Sequence, residues 1–81
     1  MTLTVQFHSY FKELTGTSES TYEMAEGSTL GDLLNQVHQR FPKLKPMERS
    51  TLSAVGVEYQ RPDYLLRTGD EISLFPPVQG G

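Results

Sequence analysis

Ser28-Thr-Leu-Gly-Asp-Leu-Leu-Asn-Gln-Val-His-Gln-Arg-Phe-Pro42 decides the fold, because it carries the clearest helical period in this 81-residue chain. Leu30, Leu33, Leu34, Val37 and Phe41 fall along one side of a helix, leaving the opposite side polar. Ser28 or Thr29 supplies a capping hydroxyl, and Asp32 puts a negative charge at the positive end of the helix dipole. Pro42 lacks the N–H that another turn needs, so it ends the helix. An apolar stripe of this kind needs cover, and its neighbours in the sequence read mainly as extended segments.

Toward the N-terminus, Leu3, Val5 and Phe7 alternate with Thr2, Thr4, Gln6 and His8, the period of a strand with one buried face. Ser9 to Thr15 carries Tyr10, Phe11 and Leu14 at near-helical spacing and stops at Gly16, which predicts a turn of helix. Ser20 to Met24 reads as a second strand with Tyr22 and Met24 on one side, closed off by Glu26-Gly27. Toward the C-terminus, Lys43 to Ser50 is polar, contains Pro46 and reads as loop. Leu52 to Tyr59 is extended, with Val55, Val57 and Tyr59 expected on one side. Arg61-Pro62-Asp63 marks a turn, Leu65 and Leu66 form a short apolar patch, and Thr68-Gly69-Asp70 turns into a last strand from Glu71 to Phe75.

Strand, strand, helix, strand, strand in so short a chain predicts an α+β fold: a mixed sheet packed on one face by a single main helix. With the first and last strands central and adjacent, those two run parallel. This is the ubiquitin-like β-grasp arrangement, with residues 1–75 forming the domain and residues 76–81 an extended, flexible tail.

Composition narrows the function. A chain of this length buries about 60% of its unfolded surface, enough for one modest core, for which four Phe and four Tyr are available. Ten acids and seven scattered bases give a net charge of −3, without the basic face that nucleic-acid binding requires. The absence of cysteine removes disulfides, thiolate nucleophiles, zinc–thiolate sites and iron–sulfur clusters. Any sulfur chemistry then uses sulfur brought from outside. No apolar run approaches ~18 residues and no basic-then-apolar leader opens the chain, so neither a membrane span nor a signal peptide is expected, and the expected address is the cytoplasm. His8 falls on the polar side of a strand and His38 on the polar side of the helix, without a nucleophile or further ligands at recognisable spacing. No metal site is expected. The Gly69 turn lacks the glycine spacing and following helix of a phosphate loop.

The chain ends in Pro76-Pro77-Val78-Gln79-Gly80-Gly81. The prolines cannot continue a sheet ladder, so they stop the last strand and launch an extended segment whose six residues, at ~3.3 Å each, reach about 20 Å. Two glycines without Cβ atoms thread a narrow channel, which suits a Gly81 carboxylate presented as a reacting group with Gly80 as its steric companion. A frayed, inert terminus is the plainer reading. It leaves the diproline and the strand before it unexplained. Phe75 lies opposite Ile72 and Leu74 in the last strand, so it points outward just before the tail, either as a docking contact or as cover for the sheet's open face. Pro76, Pro77, Val78 and Gln79 complete the expected partner-binding segment, with Val78 as an anchor in a partner groove.

Leu52-Ser-Ala-Val-Gly-Val-Glu-Tyr59 and Leu66-Arg-Thr-Gly-Asp-Glu-Ile-Ser-Leu-Phe-Pro-Pro-Val-Gln-Gly-Gly81 resemble the small subunits of molybdopterin synthase, a family of sulfur carriers. Val5-Gln-Phe-His-Ser-Tyr-Phe-Lys-Glu-Leu-Thr-Gly16 resembles their first strand and following turn, and the Thr29 to Pro42 helix fits, so the resemblance covers most of the chain. Its sharpest part is Gly69-Asp70-Glu71 followed by Phe75-Pro76-Pro77-Val78 and the terminal Gly-Gly; carriers of thiamine synthesis share the Gly-Gly but usually lack the Phe-Pro-Pro-Val lead-in. Gly56 is a departure, since the family commonly has asparagine after the Ala-Val pair.

The resemblance implies a cycle. An E1-like adenylating enzyme uses ATP on the Gly81 carboxylate, a sulfur donor protein converts it to a thiocarboxylate, and the tail delivers sulfur to cyclic pyranopterin monophosphate inside the large subunit, in an assembly of two small and two large subunits. The chain itself binds no permanent cofactor and is no enzyme on its own. Activation makes chemical sense, because a carboxylate is a poor acyl donor and an acyl adenylate a good one. Two alternatives share that activation: a ubiquitin-like modifier conjugated to partner lysines, and a sulfur carrier of another pathway such as thiamine synthesis or tRNA thiolation. A third is a β-grasp interaction module with an inert tail.

Overall fold

Alternation along the first strand builds the centre of the molecule. The computed structural model describes residues 1–77 as β1 (Thr2–Phe7), α1 (Phe11–Thr15), β2 (Glu19–Glu23), α2 (Leu30–Arg40), a 3₁₀ helix (Pro42–Met47), β3 (Leu52–Val55), β4 (Glu58–Tyr59) and β5 (Glu71–Phe75). Leu3, Val5 and Phe7 are buried on one face of β1, in register with Tyr22 of antiparallel β2 and with Ile72 and Leu74 of parallel β5. The sheet order is β2-β1-β5-β3-β4, which places the last strand in the middle, held on both edges. The expected parallel pairing of first and last strands is present, and the architecture is the ubiquitin-like β-grasp.

Helix α2 covers the closed face. Thr29 is the cap: its Oγ1 accepts from the Asp32 N–H at 3.2 Å while the Asp32 carboxylate accepts from the Thr29 N–H at 2.9 Å. This reciprocal pair satisfies donors that a helix start leaves orphaned. Leu30, Leu33 and Val37 are wholly buried, with Leu34 and Phe41 packed against the same core. The next two N–H groups, of Leu30 and Gly31, donate to the Tyr64 and Pro62 carbonyls at 2.8 Å. Gly31 allows this closeness, since a Cβ there would lie 3.2 Å from the Pro62 oxygen.

Three expectations change. Lys43 to Ser50 is not all loop: Pro42 ends α2 and at once opens the 3₁₀ helix, whose Leu44 is buried in the core. Proline suits both roles, because its fixed φ fits a helix start where no N–H is needed, and two apolar residues three apart, Leu44 and Met47, are too few to set a period. Leu52 to Tyr59 is a hairpin, not one extended run. Val55 faces Glu58 and Ala54 faces Tyr59, so the turn at Gly56-Val57 puts Val55 and Tyr59 on opposite faces and leaves Val57 99% exposed at the tip. Gly56 has φ +62, a left-handed conformation that glycine adopts freely and asparagine tolerates better than most residues. The departure from the family's asparagine therefore keeps the turn. The Leu65-Leu66 patch also splits, with Leu66 buried and Leu65 exposed.

Candidate functional site

Parallel pairing brings the C-terminal ends of β1 and β5 to the same end of the sheet, and the candidate site is built there. The His8 N–H donates to the Leu74 carbonyl at 3.1 Å, which carries the β1 pairing one residue past the strand and sets His8 beside Phe75. Their rings stack with centroids 4.4 Å apart and planes 12° from parallel. Tyr59 meets Phe75 edge-on at 6.3 Å and 86°, and Leu52 of β3 lies opposite Phe75 in register. Tyr59 is 65% and Leu52 36% exposed. An aromatic and aliphatic patch thus occupies the open face where the chain leaves the sheet. Directly after His8, Ser9 has φ +55, the only non-glycine residue with positive φ among the described residues. This costly conformation turns the chain from β1 into α1.

Phe75 faces outward as expected but is half-buried by its aromatic neighbours; Pro76 is buried and Pro77 half-buried. The strand stops before the diproline. Val78, Gln79, Gly80 and Gly81 lie outside the described residues. Sequence reading passed over Tyr59 and His8 as members of this patch. Tyr59 was hidden by the unseen hairpin, whereas His8 was legible in principle: the β1 alternation puts it on the open face, one step beyond the Phe7–Leu74 register.

The turn feeding β5 is pinned from within. Asp70 Oδ2 accepts from the Arg67 N–H at 2.8 Å and from the Tyr64 hydroxyl at 3.1 Å, and Gly69 supplies φ +90 between them. Desolvation, reinforced by the Asp70 carboxylate, pushes the Tyr64 phenol above its usual range. The group stays neutral and keeps donating.

A second polar cluster lies on the far flank. His38, expected on the polar side of α2, is instead buried at 8% exposure because the 3₁₀ helix and the Glu48 that follows it pack against α2 there. Its Nδ1 has no hydrogen-bond partner among the described residues and sits 3.8 Å from Glu48 Oε2, while Lys45 holds the same carboxylate at 3.1 Å. Burial pushes the imidazole below its ordinary pKa, Glu48 opposes this, and Lys45 adds to it. An open cleft of about 920 Å³ runs alongside, lined by Asp32, Asn35, His38, Glu48, Arg49 and Asp63 among others, and shares no lining residue with the tail exit. Among the described residues there is no group of three or more His, Cys, Asp or Glu placed to hold a metal, and no helix long and apolar enough to cross a membrane.

Comparison with known proteins agrees with this geometry. The ThiS family matches residues 5–81. The molybdopterin synthase sulfur carrier subunit of Chlamydomonas reinhardtii is 32% identical over 83 residues, covering 100% of both chains. Among solved structures, SAMP1 from Haloferax volcanii superposes with a TM-score of 0.87 at 22% identity, over 100% of each chain. A complex of subunits 1 and 2 of molybdopterin-converting factor from Helicobacter pylori contains a chain that matches with a TM-score of 0.69 at 24% identity, again over 100% of both. A family match across nearly the whole length, a full-length relative above 30% identity and a β-grasp whose last strand ends at Phe75 just before a diproline show that the chain belongs to the ThiS family, as a sulfur carrier of the molybdopterin synthase small-subunit type.

Proposed function

We propose that the chain carries sulfur on its Gly81 terminus for molybdopterin formation and docks a large subunit through the open face around Phe75. The observation that carries this reading is the tail exit itself. The last strand lies at the centre of the sheet and ends at an exposed aromatic patch, so a partner seated on Phe75, Tyr59 and Leu52 receives the tail in a defined direction. Pro76, packed on the domain, and Pro77 stiffen the launch, leaving Val78, Gln79 and Gly80 to reach inward.

In the proposed cycle, a Gly81 carboxylate oxygen attacks the α-phosphate of ATP on an E1-like enzyme, releasing pyrophosphate and giving an acyl adenylate. A persulfide on a donor protein then attacks the acyl carbon and displaces AMP, and a thiol cleaves the resulting acyl disulfide, forming a disulfide on the donor and leaving a terminal thiocarboxylate. On the large subunit that sulfur passes to cyclic pyranopterin monophosphate, and an oxygen from water restores the carboxylate. Tethering holds the sulfur at a raised local concentration near its acceptor. Intact-protein mass spectrometry after incubation with an activating enzyme, ATP and a sulfur donor tests the first half. Exchange of one oxygen for one sulfur at Gly81 is expected. An unchanged mass, with an enzyme active on its own carrier, would favour an inert tail, and higher-mass lysine conjugates would favour a modifier.

A further inference from the structure

His8 has chemistry that the carrier reading leaves unused. Its ring does for Phe75 what a phenyl ring would do, a flat stack at 4.4 Å. Unlike a phenyl ring, it encloses a nitrogen: Nε2 is buried and has no hydrogen-bond partner among the described residues. Burying a polar atom without a partner is a net loss to the free chain. Ser9, in its left-handed conformation, follows immediately. Two departures from local preference therefore stand side by side at the tail exit, and such departures gather at sites serving something other than stability.

Enclosure also selects the tautomer. A neutral imidazole has one N–H, and placing it on Nε2 would bury a donor that has nothing to donate to, so the proton belongs on Nδ1. The His8 side chain makes no hydrogen bond among the described residues, and its Nδ1 is not among the enclosed atoms, so that donor is open. We propose that His8 is a specificity-determining residue of the docking face, its Nδ1–H donating to a backbone carbonyl or carboxylate oxygen of the large subunit beside the point where the tail enters. The inference rests on the carrier reading and adds to it. Phe75, Tyr59 and Leu52 supply apolar contact for any greasy partner, whereas one directed donor among them accepts only a surface with an oxygen in register.

The test compares wild type, His8→Phe and His8→Asn, measuring thermal unfolding of the free chain and affinity for the purified large subunit of the same organism. His8→Phe keeps the stack and removes both nitrogens, so it raises Tm by about 2–8 °C. It also weakens binding by roughly 5- to 10-fold although the face becomes more apolar, an outcome that a purely greasy contact cannot give. His8→Asn places an N–H donor at the same distance from the backbone, so it recovers much of the affinity at a lower Tm. Binding of His8→Phe as tight as wild type overturns the proposal, as does a Tm that fails to rise. A large subunit that does not bind even the wild-type chain, with an intact Gly-Gly terminus, brings down the carrier reading and this inference together.

Discussion

The two histidines sit on opposite faces of the sheet and share one peculiarity, a buried ring nitrogen without a partner among the described residues. His8 lies at the tail exit with one aromatic ring, that of Phe75, stacked flat upon it. His38 lies against a carboxylate 3.8 Å away, which a lysine already holds. The first environment offers a flat stack and the donor proposed above; the second offers a charge balance around a buried ring. The difference teaches which flank faces outward in function. Changes at the tail exit should alter partner binding and chemistry while sparing the fold, and changes on the far flank should do the reverse.

Leu44→Ala tests the far flank hardest. It empties a fully buried position in the 3₁₀ helix and should lower stability by about 2–5 kcal/mol in chemical denaturation, with sulfur transfer at permissive temperature unchanged. Lost transfer in a folded variant would break the division. Gly81→Ala is the counterpart: unaltered Tm, but adenylation or transfer reduced on the order of 100-fold, as a methyl group displaces the carboxylate in a channel shaped for glycine. Wild-type rates would remove the tail from the chemistry. Phe75→Ala should weaken binding to the large subunit about tenfold, by removing an anchor at the centre of the apolar patch; titration calorimetry reads this directly.

The smallest effect concerns pH. Because burial lowers the His38 pKa in the folded state, the unfolded chain binds its proton first as pH falls. The stability tied to a neutral His38 is therefore complete above the unfolded value of about 6.5 and is lost as pH drops from there through the lowered folded value. His38→Gln should flatten that part of the stability–pH curve, measured by urea denaturation from pH 7.5 to 5. An unchanged slope would assign the acid sensitivity elsewhere.

Much of this was legible in the sequence because long-period signals dominate a small fold. The alternation of Leu3, Val5 and Phe7 and the stripe from Leu30 to Phe41 predicted an interior strand and the main helix, and parallel pairing of β1 with β5 followed once those two strands were taken as central neighbours. Features that span only two or three residues were lost. Gly56 is the single mark of the chain reversal inside a stretch that otherwise reads as extended, and Leu44 has only Met47 with it among prolines and lysines. His38 was misplaced for a tertiary reason: a helix wheel ranks faces by hydrophobicity and cannot see that the following segment covers a second side. At the site, Phe75 could be oriented from strand parity alone, but its stacking partner arrives from the other end of the chain through register.

The tail is anchored in the strand least able to peel away. β5 is bonded lengthwise to β1 on one edge and to β3 on the other, so a pull on the C-terminus loads both ladders in shear. Hydrogen bonds loaded lengthwise fail together, not one after another as they do when a strand is peeled away sideways. A partner can therefore draw the terminus taut across its own active site, or let it go, while the domain behind holds its shape as a rigid handle.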